Sequence, residues 1–406
     1  MTRIYNFGIL FFDLVIFIGS LFSPKIKLLR KGRSQVWQKL EDSNIQQSTI
    51  WVHAASLGEF EQGRPLIESI KKSFPERKIV LTFFSPSGYE IRKDYEEADY
   101  VFYLPADTKR NAQRFIKAIN PGMVFFVKYE FWYHFLTNLK KNDIPVYGVS
   151  VIFRESQSFF KWYGRWFRKM LESFNHFYLQ DEKSAKLLKC IGFNDYTVAG
   201  DTRFDRVKEI AEAAEDIDVA HEFSKGYSTI VAGSSWPADE KILTSYINES
   251  YENVKMIIAP HEIDDAHIRD IESSLKVTSF RITSPPDNPS DFKVMIVDTI
   301  GMLAAIYRYG GIAYIGGGFG SGIHNVLEAS TYGIPAIFGP KYKKYKEACD
   351  LVDLGGGFEI TSFDEFDRLV TKMWNEAGFL NESGKQAGEY VDKMCGATSL
   401  IMKELF

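Results

Sequence analysis

Residues 51–60 read Trp-Val-His-Ala-Ala-Ser-Leu-Gly-Glu-Phe, and this stretch sets the fold class. An apolar run ends in small residues and then delivers a carboxylate, Glu59, at a glycine turn. Strands of parallel sheets read as continuous apolar runs because both of their faces are covered. Runs of this kind lie at 49–54, 78–84, 100–104, 123–128, 146–150 and 176–179. Helical stretches separate them, such as 63–74, where Leu66, Ile67, Ile70 and Phe74 share one face. The pattern resumes at 229–232, 255–259, 293–297, 312–315 and 336–338. The sequence therefore predicts an α/β protein with two parallel-sheet domains facing each other across a cleft. Open parallel sheets bind ligands at the carboxyl ends of their strands, so the site is expected there.

A chain of 406 residues exceeds one ordinary core, which agrees with two domains. The charged, Ala- and Glu-rich stretch before residue 229 shows no strong strand, and the linker is placed at 206–228. The expected division is an anchor with its basic flank at 1–33, a first parallel-sheet domain at 34–205, and a second, nucleotide-binding domain at 229–406. The last helix is a candidate to pack back on the first domain. Hydrophobic content of 45% and charged content of 25% are those of a globular protein. A net charge of −4 argues against a nucleic-acid partner. Cys190, Cys349 and Cys395 are scattered and odd in number, with neither metal nor disulfide spacing.

Residues 6–22 are almost wholly apolar, and Lys25, Lys27, Arg30, Lys31 and Arg33 follow. The apolar stretch falls short of the roughly 20 residues of a spanning helix. It is expected to insert in, or shallowly through, the inner face of a membrane, with the basic flank on the cytoplasmic side.

Several strand ends carry chemistry. Gly316-Gly-Gly318-Phe-Gly-Ser-Gly-Ile-His324-Asn325-Val326-Leu327-Glu328 follows the run 312–315. Glycines let backbone approach an anion, and a helix opening near Asn325 would offer free N–H groups. Glu328 can accept from ribose hydroxyls. Ser234 and Ser235 end another run, where they can meet phosphate or cap the next helix. Pro260-His261 ends a third, and the Gly301-Met302-Leu303 turn can read a nucleobase with its backbone. In the first half, Glu130 sits among aromatics and needs a partner if buried. Arg203 can offset charge on a leaving phosphate. Residues 159–168 mix aromatic and basic side chains that suit anionic lipid or a phosphorylated acceptor, and suit helix packing equally. No metal-ligand spacing stands out.

The set His53-Ala-Ala-Ser-Leu-Gly-Glu59, Lys-Tyr-Glu130, Gly-Asp-Thr-Arg203-Phe-Asp and His324-Asn325-Val-Leu-Glu328 resembles the Kdo (3-deoxy-D-manno-octulosonic acid) transferase family. The resemblance spans most of the chain, including the apolar amino terminus. It implies the GT-B fold with a membrane-anchor helix, at the cytoplasmic side of the inner membrane. It implies CMP-Kdo as donor, a lipid A precursor (lipid IVA) as acceptor, and inverting transfer with neither metal nor cofactor. Glu59 then stands at the family's general base, and Glu130 and Arg203 at its transition-state stabilisers. Pro260, His261, Gly301, Met302, Leu303 and Asn325 to Glu328 stand at its CMP-contacting positions. The chain departs from many members at His261, where they carry Arg, and at Asp201 and Arg203, where they carry Asn and Lys. The alternatives are another GT-B sugar-nucleotide enzyme, such as a UDP-sugar transferase or epimerase, and a membrane-tethered binder without catalysis.

Overall fold

The computed structural model describes residues 1–250 and 253–406. The chain forms two compact units. The first comprises Met1–Arg206 and Cys395–Phe406, and the second Val207–Met394.

The first unit is built on seven parallel strands: β1 (Thr49–Ala54), β2 (Lys78–Phe83), β3 (Tyr100–Tyr103), β4 (Pro121–Val127), β5 (Val146–Val151), β6 (His176–Leu179) and β7 (Tyr196–Val198). Their order is β3-β2-β1-β4-β5-β6-β7. Every residue of β1 is buried, as a central strand covered by helices requires. The order reverses between β1 and β4, and at such a reversal the following connections diverge and leave a crevice.

The second unit repeats this plan with β8 (Ser228–Ser235), β9 (Val254–Pro260), β10 (Ser279–Arg281), β11 (Val294–Ile296), β12 (Ile312–Ile315), β13 (Ala336–Phe338) and β14 (Gly357–Glu359). Its order is β10-β11-β9-β8-β12-β13-β14, so the reversal falls between β8 and β12.

Three helices of the first unit bear on the site: α1 (Thr2–Gly19), α2 (Pro24–Ser43) and α3 (Leu57–Ser73). The apolar helix α1 begins four residues earlier than the sequence suggests. The basic run belongs to α2, whose residues Leu29, Val36 and Leu40 are buried in the first unit's core. The sequence boundary at residue 33 thus falls inside one continuous helix. The stretch expected as linker is largely helical, with Thr202–Ala213 and Asp218–Ser224. The last helix, Ala397–Leu405, lies in the first unit, where Phe406 rests on Phe74 at 5.2 Å between ring centres.

Candidate active site

In the first unit, the reversal point holds two carboxylates. Glu59 is not on a turn, as the sequence suggests, but in the first helical turn of α3. Ser56 at the N-cap makes no side-chain cap, and Glu59 reaches back past it, its Oε2 accepting the Ala55 N–H at 2.6 Å. This bond ties the first turn of α3 back to the residue after β1 and holds the carboxylate in place. Glu130 follows β4. Its Oε2 accepts the Trp132 indole N–H at 2.8 Å and faces His53 Nε2 at 3.3 Å. Burial pushes the Glu59 carboxyl up to about 7, and the negative charge of Glu130 pushes in the same direction. The Ala55 N–H and the Lys128 ammonium pull the other way with less effect. A carboxyl that releases its proton near neutrality is suited to general-base work.

Arg203 occupies the first turn of the helix Thr202–Ala213. It is not a bare cation. Its Nε and Nη2 both meet Asp201 Oδ2, at 2.9 and 2.8 Å. Asp201 is nearly fully buried, accepts the Gln62 amide at 2.9 Å, and also accepts the Arg203 N–H. The sequence places Asp201 in the same motif, and the structure shows it to be the cation's partner.

In the second unit, the strand ends at the reversal point converge. Gly316, just after β12, runs so close to β8 that a Cβ would lie 2.1 Å from the Ser234 carbonyl oxygen. Ser234 itself adopts φ +53°. The glycine loop is clamped by Asp239, a fully buried carboxylate. It accepts the Gly317 N–H at 2.8 Å, the Tyr314 hydroxyl at 2.8 Å and the Trp236 N–H at 3.0 Å. Sequence reasoning misses Asp239, although its position three residues after Trp236 is the capping-box spacing.

Three rings then meet at the ends of β8, β9 and the glycine loop. The Trp236 indole N–H donates to His324 Nε2 at 3.0 Å. His261 stacks on both, with ring centres 4.6 Å from Trp236 and 4.5 Å from His324. Burial and the neighbouring His261 lower the proton affinity of His324, with Asp239 acting in opposition. The sequence singles out His261 but assigns Trp236 and His324 no contact of their own.

Other expected contacts change character. Ser235 is fully buried and its hydroxyl donates to Glu240 at 2.9 Å, so it neither faces a ligand nor caps the next helix, whose N-cap is Trp236. Gly318 backs onto Gly339, where a Cβ would stand 2.5 Å from the backbone nitrogen, so this glycine serves loop packing. Val326 and Leu327 bury their side chains and can offer only backbone. The helix expected to open near Asn325 is one turn, Leu327–Ser330, and Asn325 Oδ1 accepts the Leu327 N–H at 3.2 Å. The free N–H groups expected there are thus fewer. Asn325 Nδ2 donates to Glu328 at 2.9 Å, which sets both polar groups side by side. Gly301, at φ +91°, and Met302 lead into the short helix Leu303–Ile306. Leu303 and Tyr307 fill the space beside Gly233 on β8, and Pro260 ends β9. Among the described residues Glu262, Asp264 and His267 have metal-ligand spacing, but His267 bonds Glu240 and Asp264 caps the helix Asp265–Ser274.

Several known proteins resemble this chain. The family model for 3-deoxy-D-manno-octulosonic-acid transferase (kdotransferase) matches residues 30–206. The 3-deoxy-D-manno-octulosonic acid transferase of Aquifex aeolicus is 29% identical over 332 residues, covering 80% of this chain and 84% of the relative. That of Haemophilus influenzae is 25% identical over 368 residues, covering 87% and 85%. Among solved structures, the UDP-GlcNAc 2-epimerase of Neisseria meningitidis superposes with a TM-score of 0.60 at 13% identity, over 88% of this chain and 99% of its own. MurG of Acinetobacter baumannii gives 0.57 at 11% identity, with the same coverage. At such identities the structures speak to the fold alone, and together with the two like-ordered sheets they give the GT-B fold. Through its amino-terminal domain and through relatives aligned over most of its length, the chain is similar to the Kdo transferases.

Proposed function

We propose that the protein transfers Kdo, with inversion, from CMP-Kdo to a hydroxyl of a lipid A precursor and releases CMP. The observation that carries this reading is Glu59: a carboxyl fixed by the Ala55 N–H, facing Glu130, and poised to lose its proton near pH 7. The ionised Glu59 takes the proton of the acceptor hydroxyl as that oxygen attacks the anomeric carbon. The bond from that carbon to the phosphate oxygen breaks, and CMP leaves with the electron pair. Glu130 supplies negative charge where positive charge builds on the sugar ring. Arg203 meets the leaving phosphate by exchanging Asp201 for it. The leaving group carries one phosphate, so the step is drawn with neither metal nor cofactor.

In the second unit, the glycine loop, Ser234, His261, the Gly301–Leu303 turn and the Asn325–Glu328 pair hold the nucleotide. Asn325 orients Glu328 toward ribose hydroxyls.

The acceptor is lipid, and α1 supplies the membrane contact at the cytoplasmic face of the inner membrane. Among the described residues α1 is the helix long and apolar enough to cross a bilayer. One face of it is tied to the first unit through Tyr5 to Asp107, Asn6 to His134 and Asp13 to Arg33. The other exposes Phe7, Leu10, Phe11, Leu14 and Ile18, and Phe22 is exposed in the turn that follows. A helix held along the domain in this way lies in the membrane plane. Trp162, 94% exposed, extends the patch, since Trp166 of the same segment bonds Thr2. Phe12 stacks on Phe84 and Phe84 on Trp132, which links the membrane helix to the residue that donates to Glu130.

The test is incubation with CMP-Kdo and lipid A precursor, followed by mass spectrometry of the lipid. A mass gain of one or more Kdo residues is expected. No gain with CMP-Kdo, but a product with a UDP-sugar, would overturn the reading.

A further inference from the structure

His53 is fully buried on β1, beside Thr82 in register on β2, and the reaction scheme leaves it idle. Its surroundings fix where its proton sits. The Trp51 indole N–H, which can only donate, gives its hydrogen to Thr82 Oγ1 at 2.8 Å. Thr82 Oγ1 must send its own hydrogen elsewhere, and His53 Nδ1 lies 2.8 Å away. Nδ1 therefore accepts, so the neutral ring carries its hydrogen on Nε2, which faces Glu130 at 3.3 Å. The opposite tautomer would donate from Nδ1 to the Thr82 carbonyl at 3.1 Å. It would strand the Thr82 hydroxyl hydrogen and aim an Nε2 lone pair at the Glu130 carboxylate. A doubly protonated ring strands the same hydroxyl. Fully buried donors without acceptors are costly, and Trp51, His53 and Thr82 are all fully buried.

We propose that His53 is a positioning residue, held by Trp51 and Thr82 as the Nε2–H tautomer so that it fixes the Glu130 carboxylate beside Glu59. This rests on Glu59 being the base. The relay begins in the core of the sheet and ends at the site. Its output is the negative charge of Glu130, one of the two influences that raise the Glu59 carboxyl toward neutrality. Glu59 is faced by Glu130 and Lys128 from the end of β4, and Glu130 by His53 from β1.

The experiment uses full-length protein labelled with 15N-histidine and 13C-glutamate, without substrate. Wild-type His53, assigned by loss of its signals in His53→Gln, is expected to show a protonated Nε2 and an unprotonated Nδ1. In Thr82→Val the ring turns to the Nδ1–H form and donates to the backbone carbonyl at position 82. Glu130 then turns away from the ring, and Glu59 titrates lower by roughly one pH unit. The acidic limb of the transfer rate moves down by the same amount, and the maximal rate drops about tenfold. Thr82→Ser, which keeps the hydroxyl, restores both. A protonated Nδ1 in the wild type overturns the proposal even where Thr82→Val fails to fold. Unmoved Glu59 titration in Thr82→Val overturns it as well. Both signals are read without donor or acceptor, so they stand apart from the identity of the transferred sugar.

Discussion

Replacing Glu59 by Gln tests the central residue through stability as well as rate. The folded protein holds the Glu59 carboxyl at about 7 against an ordinary 4.5. A raised carboxyl binds its proton more tightly when folded than when unfolded. Between the two values the folded state therefore holds more protons, and stability falls as pH rises through that window. The ionised Glu59 thus strains the fold above pH 7 and strains it little below pH 5. Converted through linkage, the cost is roughly 1 kcal/mol at pH 5 and roughly 3 kcal/mol at pH 8. The side chain is half-buried, and solvent screening lowers the pH 8 expectation to about 2 kcal/mol. Gln keeps an oxygen for the Ala55 N–H and carries no charge, so it removes the strain and preserves the helix start. Glu59→Gln should raise the unfolding midpoint of the first unit by about 4–8 °C at pH 8, and by much less at pH 5. Transfer should fall by about 10²–10⁴, and the wild-type rate should climb with pH up to about 7 and then level. Thermal unfolding at the two pH values, run beside the transfer assay, reads all of this. Equal midpoints for variant and wild type at pH 8 would refute the strain argument, and a wild-type rate in the variant would refute the base.

Other perturbations probe the remaining parts. Trp236→Phe removes the N–H that holds His324 Nε2, and calorimetry should show CMP affinity reduced several-fold while the stack with His261 persists; unchanged affinity would count against a ring-ordered site. Gly316→Ala forces a Cβ into the Ser234 carbonyl, and should destabilise the second unit by ~1–3 kcal/mol and abolish stabilisation by CMP. Normal melting and binding would show that β8 and β12 are farther apart than described. Replacing Trp162 by Ala together with Phe7 by Ser should weaken sedimentation with anionic lipid vesicles and leave CMP binding untouched. Full vesicle binding would remove α1 and its neighbouring loop as the membrane contact.

Much of the fold is legible in residue patterns. The runs at β1, β6, β12 and β13 are found at their observed limits, because central strands are apolar on both faces and announce themselves. β7, β10 and β14 carry no such signal. Each is a three-residue strand at the edge of its sheet, and it exists because a neighbour offers it a ladder. The start of α3 is hidden for a similar reason. Ser-Leu-Gly reads as a turn, and the helix beginning there shows only in the Phe60 N–H bond to the Ser56 carbonyl and the reach of Glu59 back to Ala55. Ser235 looks available because a serine after a strand often is; its burial against Glu240 depends on a residue five positions on, across a helix turn.

The residue order by itself determined the class of fold, the two halves, the apolar first helix and the identities of Glu59, Glu130 and His261. Those properties depend on local pattern and on which side chains stand at strand ends. Only the tertiary structure decided what each group touches. It put Glu59 and Glu130 together at one strand reversal and set their mutual repulsion. It matched Arg203 with Asp201, aligned Trp236, His261 and His324 into one stack, and ran a hydrogen-bond relay from Trp51 to Glu130. Proton affinity, tautomer and charge pairing depend on distance and burial between residues far apart in the chain, and these are fixed when strands take their order in the sheet.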